Sequence, residues 1–239
     1  MSRCVIVGGA RIGNYARARS LLLPDDYVIF CDSGLRHKEG LGAEPSLILG
    51  DFDSFPRPDT GVETLVLPRE KDDTDTVFAV KEALRRGFSD FLFLGVAGGR
   101  LDHTLGNLAI LLYLDSLGKR AVLADDYSES EIVSKVPAAI DGSYAFFSLL
   151  AVSGNARDVT VTGAKYPLSS AEITSEYPIG VSNEVLPGQT ARVTVGEGRL
   201  LLVKVVADAL SLAGRKAVPC GNYGRPVCDL VGEEPGWAV

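Results

Sequence analysis

The stretch Phe91-Leu92-Phe93-Leu94-Gly95-Val96-Ala97-Gly98-Gly99-Arg100-Leu101-Asp102-His103 decides the fold. Four apolar residues that stop at a glycine read as a strand buried on both faces. Beyond the glycine-rich turn, residues 104–117 are apolar nearly all round and end at Gly118, which predicts a buried helix. The same cadence occurs upstream. Residues 4–7 stop at Gly8-Gly9, residues 28–31 at Asp32-Ser33-Gly34, and residues 46–49 at Gly50. Residues 76–86 place Val77, Val80 and Leu84 on one helical face, with Gly87 as a stop. Strand, glycine turn and helix in repetition predict an α/β fold with an N-terminal, Rossmann-like parallel sheet covered by helices.

The pattern changes near residues 120–130. Residues 121–124 are one more strand, and Asp125 to Ser130 is a polar stretch. After it come short β-like runs at 144–150, 159–162, 191–195 and 200–206, with Gly196-Glu197-Gly198 reading as a hairpin turn between the last two. The expected organisation is an α/β unit over 1–128, an all-β sandwich over 129–206 and an irregular tail over 207–239.

The chain has 239 residues, 46% of them hydrophobic and 23% charged, which is enough apolar material for a core and excludes disorder. Lys and Arg number 24 against 31 Asp and Glu, a net charge of −7. That balance argues against nucleic acid or an anionic membrane as partner. It suits a cationic small molecule, or an anionic one that arrives with a metal. No apolar stretch is long enough for a signal peptide core or a membrane span. Cysteines stand at 4, 31, 220 and 228 without a CxxC pair, and with only His37 and His103 no zinc spacing arises. The expectation is a cytoplasmic protein with reduced thiols, a Cys220–Cys228 bridge remaining the alternative.

Three polar clusters fall at predicted strand ends, where open parallel sheets bind ligands. In Gly50-Asp51-Phe52-Asp53-Ser54 the two carboxylates leave an extended chain on the same side, about 7 Å apart. Such a pair serves equally as a hard-cation site or as a turn that caps backbone amides. Lys71-Asp72-Asp73-Thr74-Asp75 precedes a helix. One side chain suffices for an N-cap, so the surplus carboxylates favour a metal–phosphate site with Lys71 as phosphate partner. In Gly98-Gly99-Arg100 the glycines let a backbone approach a ligand, and Arg100 offers a bidentate phosphate contact. Neither Walker A nor GxGxxG spacing is present. His103 reads as a structural histidine, and Asn107, one turn further on the same face, reads equally as a site residue or as packing. Together the clusters predict a magnesium–nucleoside triphosphate site.

In order, Gly50-Asp51-Phe52-Asp53-Ser54, Lys71-Asp72-Asp73-Thr74-Asp75, Gly98-Gly99-Arg100-Leu101-Asp102-His103 and Val181-Ser182-Asn183-Glu184 resemble the thiamine pyrophosphokinase family. Phe147-Ser148-Leu149 and Gly163-Ala164-Lys165-Tyr166-Pro167-Leu168 are similar to two further family segments, and Asp32-Ser33-Gly34 stands where the family has Asp-Gly-Gly. The resemblance spans about residues 3–206. It implies transfer of diphosphate from ATP to the thiamine hydroxyl, giving AMP and thiamine diphosphate, by a homodimer with sites between subunits.

By the same resemblance Asp51, Asp53 and Asp75 hold Mg2+. Asp32, Gly34, Lys71, Asp72, Thr74, Gly98 and Gly99 bind ATP. Arg100, Asp102 and Asp75 act in catalysis, with Asp102 as proton acceptor. Ser182 and Asn183 hold thiamine, which the residues alone would read as a plain β-turn. Ser33 replaces a family glycine. The only tryptophan, Trp237, lies in the tail, so stacking on thiamine falls to Tyr166 or Tyr177. Two rivals remain: a diphosphokinase acting on a hydroxymethyl-pterin, and a non-catalytic sensor of nucleotide or thiamine.

Overall fold

The computed structural model describes residues 2–52, 61–68, 70 and 72–207. Its first half runs β1 (Cys4–Val7), α1 (Tyr15–Ser20), β2 (Tyr27–Cys31), a 3-10 turn (Asp32–His37), α2 (Lys38–Leu41), β3 (Leu47–Gly50) and β4 (Thr64–Val66). It continues with α3 (Asp75–Arg85), β5 (Asp90–Leu94), α4 (Leu101–Ser116) and β6 (Arg120–Ala124). These six strands are parallel, in the order β4-β3-β2-β1-β5-β6. The chain is therefore mixed α/β. Each strand is short and apolar because both faces are covered. On one side Ile6, Ile29 and Phe93 pack with Ala79 and Val80 of α3 and Leu111 and Leu114 of α4. On the other, Val7, Phe30 and Leu92 pack with Ala18 of α1 and Leu41 of α2.

The second half adds β7 (Ser128–Val133), β8 (Ala138–Ile140), β9 (Tyr144–Leu150), β10 (Ala156–Thr162), β11 (Leu168–Ile173), β12 (Ala191–Thr194) and β13 (Leu200–Val206). Strands β7, β13 and β9 extend the first sheet to nine strands, all by antiparallel pairing, so the sheet crosses residue 128 without a break. The others form a separate sheet ordered β11-β10-β12-β8. A second core lies between the two sheets, built from Phe147, Leu149, Leu200 and Leu202 on one side and Val159, Val161, Ile173 and Val193 on the other.

Two expectations are corrected. The expected hairpin at Gly196-Glu197-Gly198 does not form, because β12 and β13 belong to different sheets. Gly196 and Glu197 donate instead to the carbonyl of Arg157, pairing the turn with β10. Strand β13 is apolar on both faces and needs two neighbours. Leu200 and Leu202 fill the inter-sheet core while Leu201 and Val203 pack on the α4 side. Helix α4 is not buried all round either. Only the stripe through Asn107, Ile110, Leu111 and Leu114 meets the sheet, leaving Leu101 71% exposed and Leu105 56% exposed. No helix among the described residues is long and apolar enough to cross a membrane. Residues 208–239, with Cys220 and Cys228, lie outside the described residues.

Phe147 is fully buried between the sheets. Phe147→Ala is expected to cost about 3–5 kcal/mol of unfolding free energy, read as a lowered denaturation midpoint at unchanged slope.

Candidate active site

In the parallel part of the sheet the chain moves outward from β1 to β2, β3 and β4, then returns to place β5 on the other side of β1. That reversal opens a crevice beyond the carboxyl ends of β1 and β5, the position where such sheets bind ligands. The two strand ends are drawn together by Gly8 N donating to Leu94 O (2.9 Å) and Ala10 N donating to Gly95 O (2.8 Å). A Cβ on Gly8 would stand 2.7 Å from Gly95 O, so these glycines serve backbone approach.

Carboxylates line the β2–β3 side of this edge. Asp32, buried at the end of β2 with φ 41°, lies against the end of β3, since a Cβ on Gly50 would be 2.9 Å from Asp32 Cβ. Asp51 follows Gly50 directly. Helix α3 brings Asp75 to the same place, with Cys31 Sγ 3.9 Å from Asp75 O. Burial above all, followed by the charges of Asp75, Cys4 and Asp32, pushes the Cys31 thiol well above its ordinary value. The acidic run before α3 divides its duties. Thr74 is the N-cap and accepts from Val77 N (3.3 Å), while Asp73 is ion-paired to Lys81. Asp72 is exposed and Asp75 partly buried. Gly34 packs against Val7 O. Asp53 and Lys71, both expected in the site, lie outside the described residues.

The β5 side carries the glycine turn. Gly98 and Gly99 have φ of 90° and 71°, and a Cβ on either would meet nothing within 4 Å, so this backbone faces open space. Thr104 shapes the turn, accepting from Gly98 N (3.0 Å) and donating to Arg100 O (3.1 Å). Asn107 is buried, and its amide donates to Val96 O at 2.7 Å, tying α4 to the strand end. His103, expected to be structural, is exposed. Arg100 grips Asp102 through Nη2–Oδ2 (2.6 Å) and Nε–Oδ1 (3.2 Å). Hydrogen bonding to Arg100 is the main cause holding the Asp102 carboxyl down at about 2.

Ser182 and Asn183 lie elsewhere, along the outer edge of β9. Asn183 exchanges backbone hydrogen bonds with Phe147 (2.9 and 2.8 Å). Its side chain accepts from Tyr166 N (3.0 Å) and donates to Tyr166 O (2.8 Å), so it orients Tyr166. Ser182, at φ 61°, is exposed, as are Tyr166, Tyr177, Ile179 and the adjacent Val181.

Residues 18–123 match the family model "Thiamin pyrophosphokinase, catalytic domain", and residues 136–200 match "Thiamin pyrophosphokinase, vitamin B1 binding domain". The chain belongs to the thiamin pyrophosphokinase family. It is 28% identical over 171 residues to the thiamine pyrophosphokinase of Bacillus subtilis, covering 68% of this chain and 79% of that one. It shares the fold of a crystal structure of the B. subtilis protein, with TM-score 0.77 at 22% identity, over 87% of this chain and 100% of the other. A thiamin pyrophosphokinase structure from Geobacillus thermodenitrificans gives TM-score 0.74 at 25% identity, over 85% and 97%.

Sequence reasoning missed His37, Thr104 and the anchoring of Asn107, because each acts through a hydrogen bond to a distant or folded-back backbone atom. His37 is buried, with Nδ1 2.7 Å from Tyr15 Oη and Nε2 2.9 Å from Ala10 O. A carbonyl only accepts, so Nε2 carries the proton and Nδ1 accepts from Tyr15. Burial lowers the imidazole below its ordinary 6.5, outweighing the opposing pull of the Ala10 bond. The fold thus prefers neutral His37. Its contribution is complete above pH 6.5 and fades as pH falls toward the depressed native value. Denaturation curves across pH 7 to 5 should show a loss of stability in the wild type that is reduced in His37→Gln.

Proposed function

We infer that this protein transfers diphosphate from ATP to thiamine, forming thiamine diphosphate and AMP. Family membership carries the activity, and the gathering of Asp32, Asp51 and Asp75 at the edge that also bears the Gly98–Arg100 turn supports the division of roles. In this reading residues 1–128 form the ATP-binding unit, with a Rossmann-like sheet, and residues 129–206 form a β-sandwich that binds thiamine.

An all-oxygen carboxylate set suits a small, hard divalent cation such as Mg2+. Among the described residues no three His, Cys, Asp or Glu side chains are grouped so as to hold a metal ion. Asp51 and Asp75 would hold the ion together with Asp53. Bound there, it would neutralise triphosphate charge. Asp32, Gly34, Lys71, Asp72 and Thr74 belong to the ATP side of the same edge, and the open backbone at Gly98 and Gly99 receives phosphate oxygens. The thiamine hydroxyl attacks the β-phosphorus, the bond from that phosphorus to the α-phosphate oxygen breaks, and AMP leaves. Asp102 accepts the hydroxyl proton. While Arg100 holds it near a pKa of about 2 it is a weak base. Turning Arg100 toward phosphate oxygen releases Asp102 and raises its basicity.

The sheet order supports a homodimer. Strand β9, beside Ser182, is four strands from β5 and six from β2. At about 4.8 Å per strand that is roughly 19 to 29 Å, too far for one protomer's Ser182 and triphosphate edge to hold a single thiamine. A partner copy can supply the missing half. The exposed Leu101 and Leu105 of α4, and the exposed Val181 beside Ser182, are apolar side chains of the kind such contacts cover.

Incubation with Mg2+, ATP and thiamine should yield AMP and thiamine diphosphate in equal amounts, and AMP formed only with a pterin alcohol would overturn the thiamine assignment. Asp75→Asn is expected to lower turnover by about 100-fold or more with the fold retained in circular dichroism. Mixing inactive Asp75→Asn with inactive Ser182→Trp after joint refolding should restore about a quarter of wild-type activity, since half the dimers then own one intact site. No recovery would place both halves of the site in one chain.

A further inference from the structure

The loop joining β1 to α1 is held at several points. Ala10 donates to Gly95 O (2.8 Å), and its carbonyl is held by His37 Nε2 (2.9 Å). Gly13 N donates to Asp126 Oδ2 (2.8 Å) and Asn14 N to Asp126 Oδ1 (2.9 Å). Between these anchors Arg11 stands exposed, lining a crevice with Asn14, Gly95, Ala97 and Asp125 at the β1–β5 reversal. The neighbouring acids are already engaged. Asp126 takes the backbone amides just named, and Asp125 Oδ1 accepts from Tyr127 N, Ser128 N and Ser128 Oγ. Nearby arginines are also paired, Arg17 with Glu129 (3.1 Å) and Arg100 with Asp102. Arg11 makes no hydrogen bond or ion pair with any described residue. The contact of Gly9 with the Ser33 side chain sets this loop directly beside the turn that carries Asp32.

We propose that Arg11 is a phosphate-binding residue, contacting the polyphosphate of the nucleotide from the loop that follows β1. The inference rests on the proposed ATP-binding role of this edge. A triphosphate carrying one divalent ion keeps a net negative charge, and a guanidinium matches phosphate oxygens in a two-pronged geometry. A backbone pinned on both sides of Arg11 limits the ordering that binding requires.

The test compares wild type, Arg11→Gln and Arg11→Lys in calorimetric titrations with Mg–ATP, inorganic triphosphate and adenosine. Removing a charge-assisted hydrogen bond predicts about ten- to hundredfold weaker binding of ATP and triphosphate by Arg11→Gln. Adenosine affinity and thermal midpoint should stay unchanged, and Arg11→Lys should recover part of the loss. Unchanged triphosphate affinity in Arg11→Gln overturns the proposal, as does an equal loss for adenosine, which would mean a reshaped loop. Arg11-dependent triphosphate binding without diphosphate transfer by the wild type would sink the functional reading and leave this inference standing.

Discussion

The site depends on how closely the ends of β1 and β5 can approach. Their backbones touch through Gly8 and Gly95, and a side chain at either place would drive the strands apart. Because they meet, the loop after β1 and the turn after β5 stand side by side over one crevice. Because every strand from β4 to β6 runs the same way, the residues that follow β2 and β3 leave the sheet at the same edge. Parallel pairing is what brings residues far apart in sequence, Asp32 after β2 and Asp51 after β3, to the same edge of the sheet.

Charge is arranged across this crevice in two ways. On the β2–β3 side the polar groups are carboxylates, with Asp32 and Asp75 both near Cys31. On the β5 side Arg100 and Asp102 neutralise each other at the surface, a pairing that a phosphate can break because both groups are well solvated. The acidic run before α3 shows why counting carboxylates misleads. Of its four polar members, Thr74 caps, Asp73 binds Lys81, and only Asp75 turns inward beside Cys31.

The antiparallel half has a different logic. Strand β13 is wedged between β7 and β9 and buries both faces, so it joins the α/β core to the inter-sheet core. The segment around Ser182 then covers the edge of β9, and Asn183 locks Tyr166 through its side-chain amide. That places Ser182 and Asn183 beside β9, six strands from the Asp32 turn at the end of β2.

By itself the sequence determined the local elements and their chemistry. Apolar runs gave five of the six parallel strands within a residue or so while β4 (Thr64–Val66) was missed, Leu200–Val206 and Tyr144–Leu150 were legible to the residue, and the ordered motifs named the family. Short helices such as Lys38–Leu41 escaped because few residues carry too little periodicity to read. Only the tertiary structure decided the rest: that β12 and β13 part into different sheets, that one face of α4 stays bare, and that His37 reaches Ala10. The physical reason is that local signals fix which faces must be buried. Strand partners, and hydrogen bonds across tens of residues, are chosen by which distant surface arrives to bury them.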